Sequence, residues 1–489
     1  MVISLLIFLT LGFLILLSYF SNKFANHGPP SYPFIGCLIA FYKNRYRLLD
    51  WYTELLAESP VNTIVVHRIG GPRTIVTANP ENVEYMLKNN FNNFPKGRPI
   101  NVILGDFLGC GIFNVDGEQW RAQRKLASHG FTTKSLRKLV VKTLEDEVEK
   151  RLIPVLESAM ESNKVVDMQD LLRRFAFDIV CKVSLGFDPG CLDHSLPDSS
   201  LARAFDVASM TSAMRRAAPV FLIWKIKRFF GIGTEKTLKE AISHVHESVS
   251  EIIRNKCEKL QNITKDEYED ADLLSRLIVE GHDAELVRDM VISFVMAGRD
   301  TTSAAMTWLF YLLSRNRNIE SELVNEVSRY LDYDELKEMG LLKACLCESM
   351  RLYPPVAWDS KHAESDDILP DGTSVRAGDR VTYFPYGMGR MEKLWGKDWF
   401  EFKPDRWFIG PESGELKNVS PYKFPVFQAG PRVCLGKEMA FIQMKYVVSS
   451  ILKRFEIKPV SLENPVFVPL LTAHMAGGFN VRVGKRSQV

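Results

Sequence analysis

The feature that constrains this chain most is a ten-residue segment near its carboxyl end, FQAGPRVCLG, which runs from Phe427 to Gly436. Its single cysteine, Cys434, lies between glycines, which allow backbone amides to approach the sulfur. A helix that begins near Gly436 would also point its N-terminal N–H groups at the sulfur, and both effects favour a thiolate. A thiolate held in this way is a good axial ligand for haem iron. The alternative is a buried structural cysteine beside a turn.

The amino terminus is an uninterrupted apolar segment, MVISLLIFLTLGFLILLSYF, and the first charged side chain after it is Lys23. A helix of twenty residues spans about 30 Å, which is the hydrocarbon thickness of a bilayer. A cleaved signal peptide is the alternative, but the segment lacks a basic start and a small-residue cleavage site. We therefore predict a membrane anchor over residues 1–22. The basic residues that follow it place the body of the protein in the cytosol.

The rest of the chain is predicted to form one large domain. Residues 23–39 contain Pro29, Pro30 and Pro33, which make a stiff hinge. No Gly/Ser-rich linker divides residues 40–489, so these residues form the predicted domain. The net charge of +3 is too balanced for a dedicated nucleic-acid binder, and no nucleic-acid partner is expected.

Hydrophobic periodicity predicts a mainly α fold with a minor β-sheet region. Two β-branched runs, Asn62–Arg68 and Arg73–Ala78, flank a Gly-Gly-Pro turn and predict a hairpin. Further strands are expected between Val375 and Phe384. Apolar residues at helical spacing predict three long helices, and the last of them is apolar enough to be buried. These helices span Ser135–Met160, Thr234–Leu260 and Asp283–Arg315.

Four segments together resemble the cytochrome P-450 superfamily of haem-thiolate monooxygenases. In chain order they are WRAQR (Trp120–Arg124), AGRDTT (Ala297–Thr302), ESMR (Glu348–Arg351) and the cysteine segment. The resemblance implies a single haem-thiolate domain that binds haem b, iron-protoporphyrin IX, and uses O2. It also implies electrons from NADPH through NADPH-cytochrome P-450 reductase, and a location on the cytosolic side of the endoplasmic reticulum membrane.

The resemblance assigns roles to individual residues. Cys434 becomes the axial ligand of the haem iron, within a loop that includes Phe427 and Gly436. Trp120, Arg124 and Arg432 become partners of the haem propionates, and His362 is a looser candidate for the same role. Glu348 and Arg351, joined by Arg406, become a fold-locking element without a catalytic role.

The AGRDTT segment is similar to the oxygen-activation segment of the family. Thr301 offers a hydroxyl and Asp300 an acid, the two groups needed to deliver protons during catalysis. Gly298 is expected to loosen the helix and open a notch for dioxygen. The structural alternative is that Thr301 bonds back within its helix and Asp300 pairs with Arg299.

Three more segments resemble the plant group that includes fatty-acid ω-hydroxylases and jasmonoyl–isoleucine hydroxylases. They are Gly111–Arg124, Arg351–Ala363 and Leu470–Phe479. This resemblance implies hydroxylation at or near the terminal carbon of a carboxylate-bearing lipid. Lys96 and Arg98 are candidates for holding the carboxylate of that lipid, and a solvated surface position is the alternative for both. Core packing is the alternative role for each apolar residue that the resemblance places in the substrate pocket: Phe107, Phe113, Phe294, Ala297, Val356, Ala357 and Leu471.

Two other functions compete with this interpretation. One is a haem-thiolate isomerase or dehydratase that acts on lipid hydroperoxides without O2. The other is a non-enzymatic haem-binding or ligand-binding membrane protein. Asp300 and Thr301 argue against both, since neither function needs proton delivery. The sequence leaves open which of the two lipid classes is preferred, the chain length and whether the alcohol is oxidised further.

Overall fold

The structure, a computed structural model, describes residue 12 and most of residues 27–486. Positions 133, 194, 218–219, 221, 261–271, 330–332 and 411–413 are not described. Apart from Gly12, the predicted anchor therefore lies outside the described residues. Within the described ranges, no helix is both long and apolar enough to cross a membrane.

The described part of the chain is mainly helical with a small sheet region, as predicted. Its helices are α1 (Leu38–Lys43), α2 (Leu48–Glu58), α3 (Pro80–Glu84), α4 (Arg98–Leu108), α5 (Gly117–Thr132), α6 (Lys134–Glu147), α7 (Ile153–Glu161), α8 (Met168–Leu185), α9 (Ser200–Ala217), α10 (Leu222–Phe230), α11 (Thr234–Leu260), α12 (Leu273–Val279), α13 (Ala284–Arg315), α14 (Arg317–Arg329), α15 (Gly340–Leu352), α16 (Pro385–Met388), α17 (Glu392–Trp395) and α18 (Lys437–Arg454). Its strands are β1 (Thr63–Val66), β2 (Thr74–Thr77), β3 (Val166–Asp167), β4 (Asp359–His362), β5 (Asp367–Ile368), β6 (Ser374–Val375), β7 (Arg380–Tyr383), β8 (Phe455–Pro459), β9 (Phe467–Pro469), β10 (Ala473–Met475) and β11 (Asn480–Lys485).

The largest described sheet has four strands in the order β1-β2-β7-β4. Strands β1 and β2 pair antiparallel, with Thr63 opposite Thr77, so the predicted hairpin is confirmed. Strand β7 pairs parallel with β2 and antiparallel with β4. This arrangement brings a segment from the first hundred residues beside the segment that follows α15.

The three predicted long helices are present, with one difference. The helix predicted over Ser135–Met160 contains a π-helical segment, Val148–Leu152, between α6 and α7. Pro154 follows this segment and has no N–H to donate to the preceding turn. A wider turn is a usual response where the regular α-helical hydrogen bond cannot form.

Helix α13 passes through two apolar cores. Its first half, from Val287 to Val295, packs in a core formed with α4, α8, α9, α11 and α12. Its second half, from Ala305 to Leu313, packs in a core formed with α6, α8, α14, α15 and α18. The middle of α13 therefore lies where the two cores meet.

A buried carboxylate joins α15 to the segment that follows α17. Glu348 bonds Arg351 at 2.8 Å through each of its oxygens, and Arg406 donates to one of them at 2.7 Å. Trp407 Nε1 and the backbone N–H of Lys403 donate to the same carboxylate. Arg351 also donates to backbone carbonyls, including that of Trp399 at 2.7 Å. Each buried charge is thus paired and hydrogen-bonded, as stability requires.

Glu348→Ala is expected to lower the free energy of unfolding by about 3–5 kcal/mol, because two arginines lose their buried carboxylate partner. Glu118→Ala is the matched control, since Glu118 also pairs with an arginine three residues later but is exposed. The control is expected to change stability by less than about 0.5 kcal/mol. Urea unfolding followed by circular dichroism measures both variants, and equal stabilities would contradict the structural role of Glu348.

Candidate functional site

The cysteine segment forms a tight loop that ends at the start of α18. The backbone N–H of Cys434 donates to the carbonyl of Phe427 at 2.8 Å and closes the loop. Gly430 adopts a positive φ of 64°, and a Cβ there would lie 2.0 Å from the carbonyl oxygen of Leu87. Only glycine fits at this position. Gly436 is the N-cap residue of α18, so the sulfur lies near the amino end of a helix, as predicted.

Some groups around the Cys434 sulfur stabilise a thiolate, whereas burial destabilises it. Burial raises the pKa of the Cys434 thiol, while the Gly436 N–H and the charges of Arg124 and Lys437 oppose that rise. The expected lowering of the pKa is therefore wrong for the protein alone, because desolvation is the larger effect. The side chain is nevertheless accessible, and a coordinating metal deprotonates a thiol outright.

Trp120 and Arg432 lie together beside this loop. The Arg432 guanidinium lies 4.4 Å from the centre of the Trp120 ring. Arg432 also donates to Asp116 Oδ1 at 2.6 Å and to the Val115 carbonyl at 2.9 Å, both through Nη2. Its remaining N–H groups are available to a further carboxylate. Burial lowers the pKa of Arg124, and the nearby Cys434 opposes that shift, so these two side chains are also close.

His362 has a different setting from the other three candidates. Its Nδ1 lies 2.7 Å from the carbonyl oxygen of Lys96. Burial lowers the pKa of His362 to about 4, so the imidazole is neutral at physiological pH. A Cβ at Gly97 would lie 2.9 Å from the His362 Cβ, so the ring packs closely on this turn. His362 thus contacts a backbone turn and offers no positive charge to a propionate.

The middle of α13 is the accessible part of an otherwise buried helix. From Asp289 to Leu313, every residue is buried except Met296, Ala297, Gly298, Asp300 and Thr301. Met296 and Asp300 are four residues apart, as are Ala297 and Thr301, so these four residues lie on one side of the helix. We name these five residues the α13 window. It contains both residues that were predicted to deliver protons.

The polar groups of the α13 window are partly engaged. Thr301 Oγ1 donates to the Ala297 carbonyl at 2.7 Å, as the structural alternative predicted. Asp300 lies 3.7 Å from Arg299 and 3.9 Å from Arg173, and within the described residues its Oδ1 has no hydrogen-bond partner. A hydroxyl and a carboxylate therefore lie one residue apart on an accessible helical surface.

The expected loosening of α13 at Gly298 is not accompanied by a break in the helix. The helix is continuous from Ala284 to Arg315. A Cβ at Gly298 would lie 2.8 Å from Val180 Cγ2 on α8. Gly298 therefore allows close packing of two helices, and sequence alone did not distinguish this role from a notch.

The predicted pocket residues divide into two groups. Phe107, Phe294 and Ala357 are buried, and the two phenylalanines belong to the core around the first half of α13. Phe113, Ala297, Val356 and Leu471 are partly accessible. The backbone bond from Ala473 to the Pro355 carbonyl, at 2.7 Å, brings the segments of Leu471 and Val356 together.

Sequence reasoning missed a buried acidic centre at Asp359. Lys96 donates to its Oδ1 at 3.0 Å, and Tyr383 and Gln428 donate to its Oδ2 at 3.2 and 2.7 Å. Burial raises the pKa of Asp359, but the charges of Lys361, Lys96 and Arg216 outweigh it and hold the pKa well below its usual range. The sequence signal was a carboxylate and a lysine two residues apart, Asp359 and Lys361, which share one face of strand β4. Lys96 is therefore already paired.

These residues fit the haem that the sequence resemblance implies. Cys434 supplies an accessible sulfur that receives an amide hydrogen bond, and Arg432 retains donors for a carboxylate beside an aromatic ring. The α13 window supplies an accessible surface with apolar, hydroxyl and carboxylate groups. Thiolate, cationic and apolar groups are the contacts that a haem requires.

Comparison with known proteins gives consistent results along the chain. A sequence profile described as Cytochrome P450 matches residues 27–473. The chain is 59% identical to cytochrome P450 94B1 of Arabidopsis thaliana, covering 99% of this chain and 98% of that protein. It is also 59% identical to cytochrome P450 94B3 of the same plant, covering 99% of each chain. It is 47% identical to cytochrome P450 94A2 of Vicia sativa, covering 94% of this chain and 91% of that protein.

A solved structure, described as the crystal structure of the cytochrome P450DA heme domain, shares the fold. The TM-score is 0.78 at 20% sequence identity, covering 94% of this chain and 97% of that chain. The family profile, the relatives and the shared fold agree over nearly the whole chain. The chain belongs to the cytochrome P450 family and is a monooxygenase of the group that includes these relatives.

Proposed function

We propose that this protein hydroxylates a carboxylate-bearing lipid, a fatty acid or jasmonoyl–isoleucine, at or near its terminal carbon. The α13 window carries this proposal. It exposes Ala297 and Met296 beside Thr301 and Asp300, so an apolar surface adjoins proton-delivering groups. The 59% identity to cytochromes P450 94B1 and 94B3 supports the lipid class, because the sequence segments that resemble lipid hydroxylases lie within the aligned span.

In the proposed reaction, different residues of the chain bind the haem, supply protons and orient the substrate. When bound, haem b supplies the activation of O2, with electrons that we propose come from NADPH through the reductase. Cys434 would hold the iron, and Arg432, Arg124 and Trp120 would hold the propionates. Thr301 would hold a proton at its Oγ1, and Asp300 would replenish it. Ala297, Val356 and Leu471 are proposed to exclude water and orient the acyl tail.

Two other functions, a hydroperoxide isomerase and a haem carrier, give no role to the proton-delivering residues of the site. A haem-thiolate isomerase of lipid hydroperoxides needs neither protons nor reductant, and a haem carrier needs no reaction surface. Thr301 and Asp300 supply a hydroxyl and a carboxylate, the two groups that proton delivery uses. Accessible placement of both residues therefore favours the monooxygenase reaction with external reductant.

We also propose that the body rests on the endoplasmic reticulum membrane beside an anchor formed by residues 1–22. Support comes from α10, which exposes Leu222, Ile226, Phe229 and Phe230 next to basic residues. A helix with large exposed apolar side chains and a basic surface suits the interface of an anionic membrane. Two contacts with the membrane, the anchor and α10, would hold the body in one orientation.

Thr301→Ala is expected to lower the ratio of product formed to NADPH consumed by about 10-fold or more, as general acid–base groups typically contribute at least that much. Thr302→Ala is the matched control, because Thr302 also donates to the carbonyl four residues earlier at 2.7 Å but is buried. Product and NADPH are measured in the same reaction. A ratio that falls equally in both variants would assign the effect to helix stability.

Products from the holoenzyme with reductase and NADPH test the substrate class. Dodecanoic acid and jasmonoyl–isoleucine are the substrates, and mass spectrometry locates the new hydroxyl. We expect hydroxylation at or near the carbon most distant from the carboxylate in at least one of them. Absence of turnover of both acids, or hydroxylation next to the carboxylate, would contradict the proposed function.

Deletion of residues 1–26 is expected to reduce membrane association without loss of haem, because α10 retains an apolar contact with the bilayer. Phe229→Asp and Phe230→Asp in the same deletion are expected to release the protein from membranes. Sedimentation with microsomes and the haem absorption spectrum are the measurements. Full release by the deletion alone would contradict the role of α10.

A further inference from the structure

Two arginines converge on one hydroxyl where the end of α9 meets the four-stranded sheet. Arg216 Nη2 donates to Ser360 Oγ at 2.6 Å, and Arg380 Nε donates to the same oxygen at 3.0 Å. Ser360 is fully buried on β4 and also lies 2.7 Å from Thr382 Oγ1 on β7. A neutral hydroxyl cannot compensate for two partly buried positive charges.

Within the described residues no acid bonds directly to either arginine, although Asp359 acts on both from a distance. Among the described residues, neither Arg216 nor Arg380 forms an ion pair with a carboxylate, and the buried Arg216 Nε has no hydrogen-bond partner. Burial lowers the pKa of Arg380, and repulsion from Arg216 and Arg68 lowers it further. Three guanidinium groups therefore lie close enough to repel one another.

Asp359, the acid that acts on both arginines from a distance, lies on the other face of strand β4. Successive residues of a strand point to opposite faces, so Ser360 faces away from Asp359 and Lys361. Asp359 is occupied on its own face by Lys96, Lys361 and Gln428. His362 shares the face of Ser360, but its ring is neutral. The arginines thus have N–H donors to offer, and no carboxylate of the described residues forms an ion pair with them.

We infer that Arg216 and Arg380, with Arg68 beside them, form a binding site for the carboxylate of the lipid substrate. The inference rests on the proposed function, because that function supplies the carboxylate. Guanidinium groups match a carboxylate through paired N–H donors, and burial strengthens the interaction. The site replaces the sequence-based expectation that Lys96 holds this group.

The position of the site suits oxidation at the opposite end of the substrate. Ser360 is three residues beyond Ala357, a distance of at most about 10 Å along an extended strand. Val356, just before Ala357, is partly accessible, and the backbone bond between Ala473 and Pro355 brings this part of the chain beside the segment that contains Leu471. A carboxylate held at Arg216 directs the acyl tail along this apolar segment and keeps the acid away from the reacting carbon.

A haem propionate is the other source of a carboxylate. The residues predicted to hold the propionates, Trp120, Arg124 and Arg432, share no hydrogen-bond partner with Arg216 or Arg380 in the described structure. Arg432 forms an ion pair with Asp116, whereas the side-chain bond of Arg216 that the described residues show goes to Ser360. The lack of shared hydrogen-bond partners favours the substrate carboxylate over a haem propionate as the group that Arg216 and Arg380 bind. The experiment below distinguishes these two carboxylates.

The test titrates the full-length holoenzyme with dodecanoic acid and with methyl dodecanoate, and follows the haem Soret absorption. Arg216→Gln is expected to raise the Kd of the acid by about 30-fold, since loss of a buried charge partner costs at least about 2 kcal/mol at 1.4 kcal/mol per factor of ten. The Kd of the ester and the haem content are expected to stay within about twofold of wild type, because neither involves this contact. Arg216→Lys is expected to recover part of the affinity for the acid.

Arg203→Gln is the matched control, because Arg203 lies on the same helix but is exposed and pairs with Asp198. It is expected to bind both ligands as the wild type does. If Arg216→Gln weakens binding of the acid and of the ester equally, the inference is wrong. If Arg216→Gln instead loses haem while the ratio of the Kd values for acid and ester stays as in the wild type, the site holds a propionate and the inference is also wrong. If the wild type hydroxylates the acid and Arg216→Gln binds the acid as tightly as the wild type does, the carboxylate site is wrong but the proposed function stands. If the wild type binds acid and ester equally and oxidises neither, the proposed function is wrong as well.

Discussion

The burial of α13 in two separate cores is the constraint on which the rest of the structure depends. Its 32 residues carry apolar side chains that pack with different helices in each half. Burial of a large apolar side chain contributes about 1.5–3 kcal/mol, so each half is strongly fixed. The middle of the helix is left accessible because neither core covers it. The position of the α13 window is thereby set by packing on both sides.

The same packing explains how the reactive loop is held. Gly430 lets the loop approach the carbonyl of Leu87, and α18 begins immediately after Gly436. Helix α18 in turn packs in the core that holds the second half of α13. The Glu348 network fixes α15 against the segment of Arg406 in that region. The cysteine and the α13 window therefore belong to elements that are positioned by one shared core.

Sequence patterns predicted the features that depend on local order or on fixed spacing. The helix over Thr234–Leu260 and the hairpin of β1 and β2 follow from periodicity and turn residues, which act within a few positions. The ionic contact of Glu348 with Arg351 follows from a three-residue helical spacing. These features need no knowledge of which distant segments meet.

Features that depend on distant contacts were not predictable in this way. The role of Gly298 depends on Val180, which is more than a hundred residues away. The acidic centre at Asp359 needs Lys96 and Gln428 from distant segments, and burial at the loop reverses the expected direction of the Cys434 pKa shift. Arg216 carried no signal in the sequence, because an arginine at a helix end is usually solvated.

The role of Cys434 is tested most directly by the absorption spectrum of reduced, carbon-monoxide-bound protein carrying Cys434→Ser. The wild type is expected to show the red-shifted Soret band of a thiolate-ligated haem and the variant to lose it, because an alcohol oxygen is a poor substitute for a soft thiolate. Cys110→Ser is the control, since Cys110 is also exposed but lies outside the loop. Retention of the red-shifted band in Cys434→Ser would contradict the assignment of Cys434 as the axial ligand.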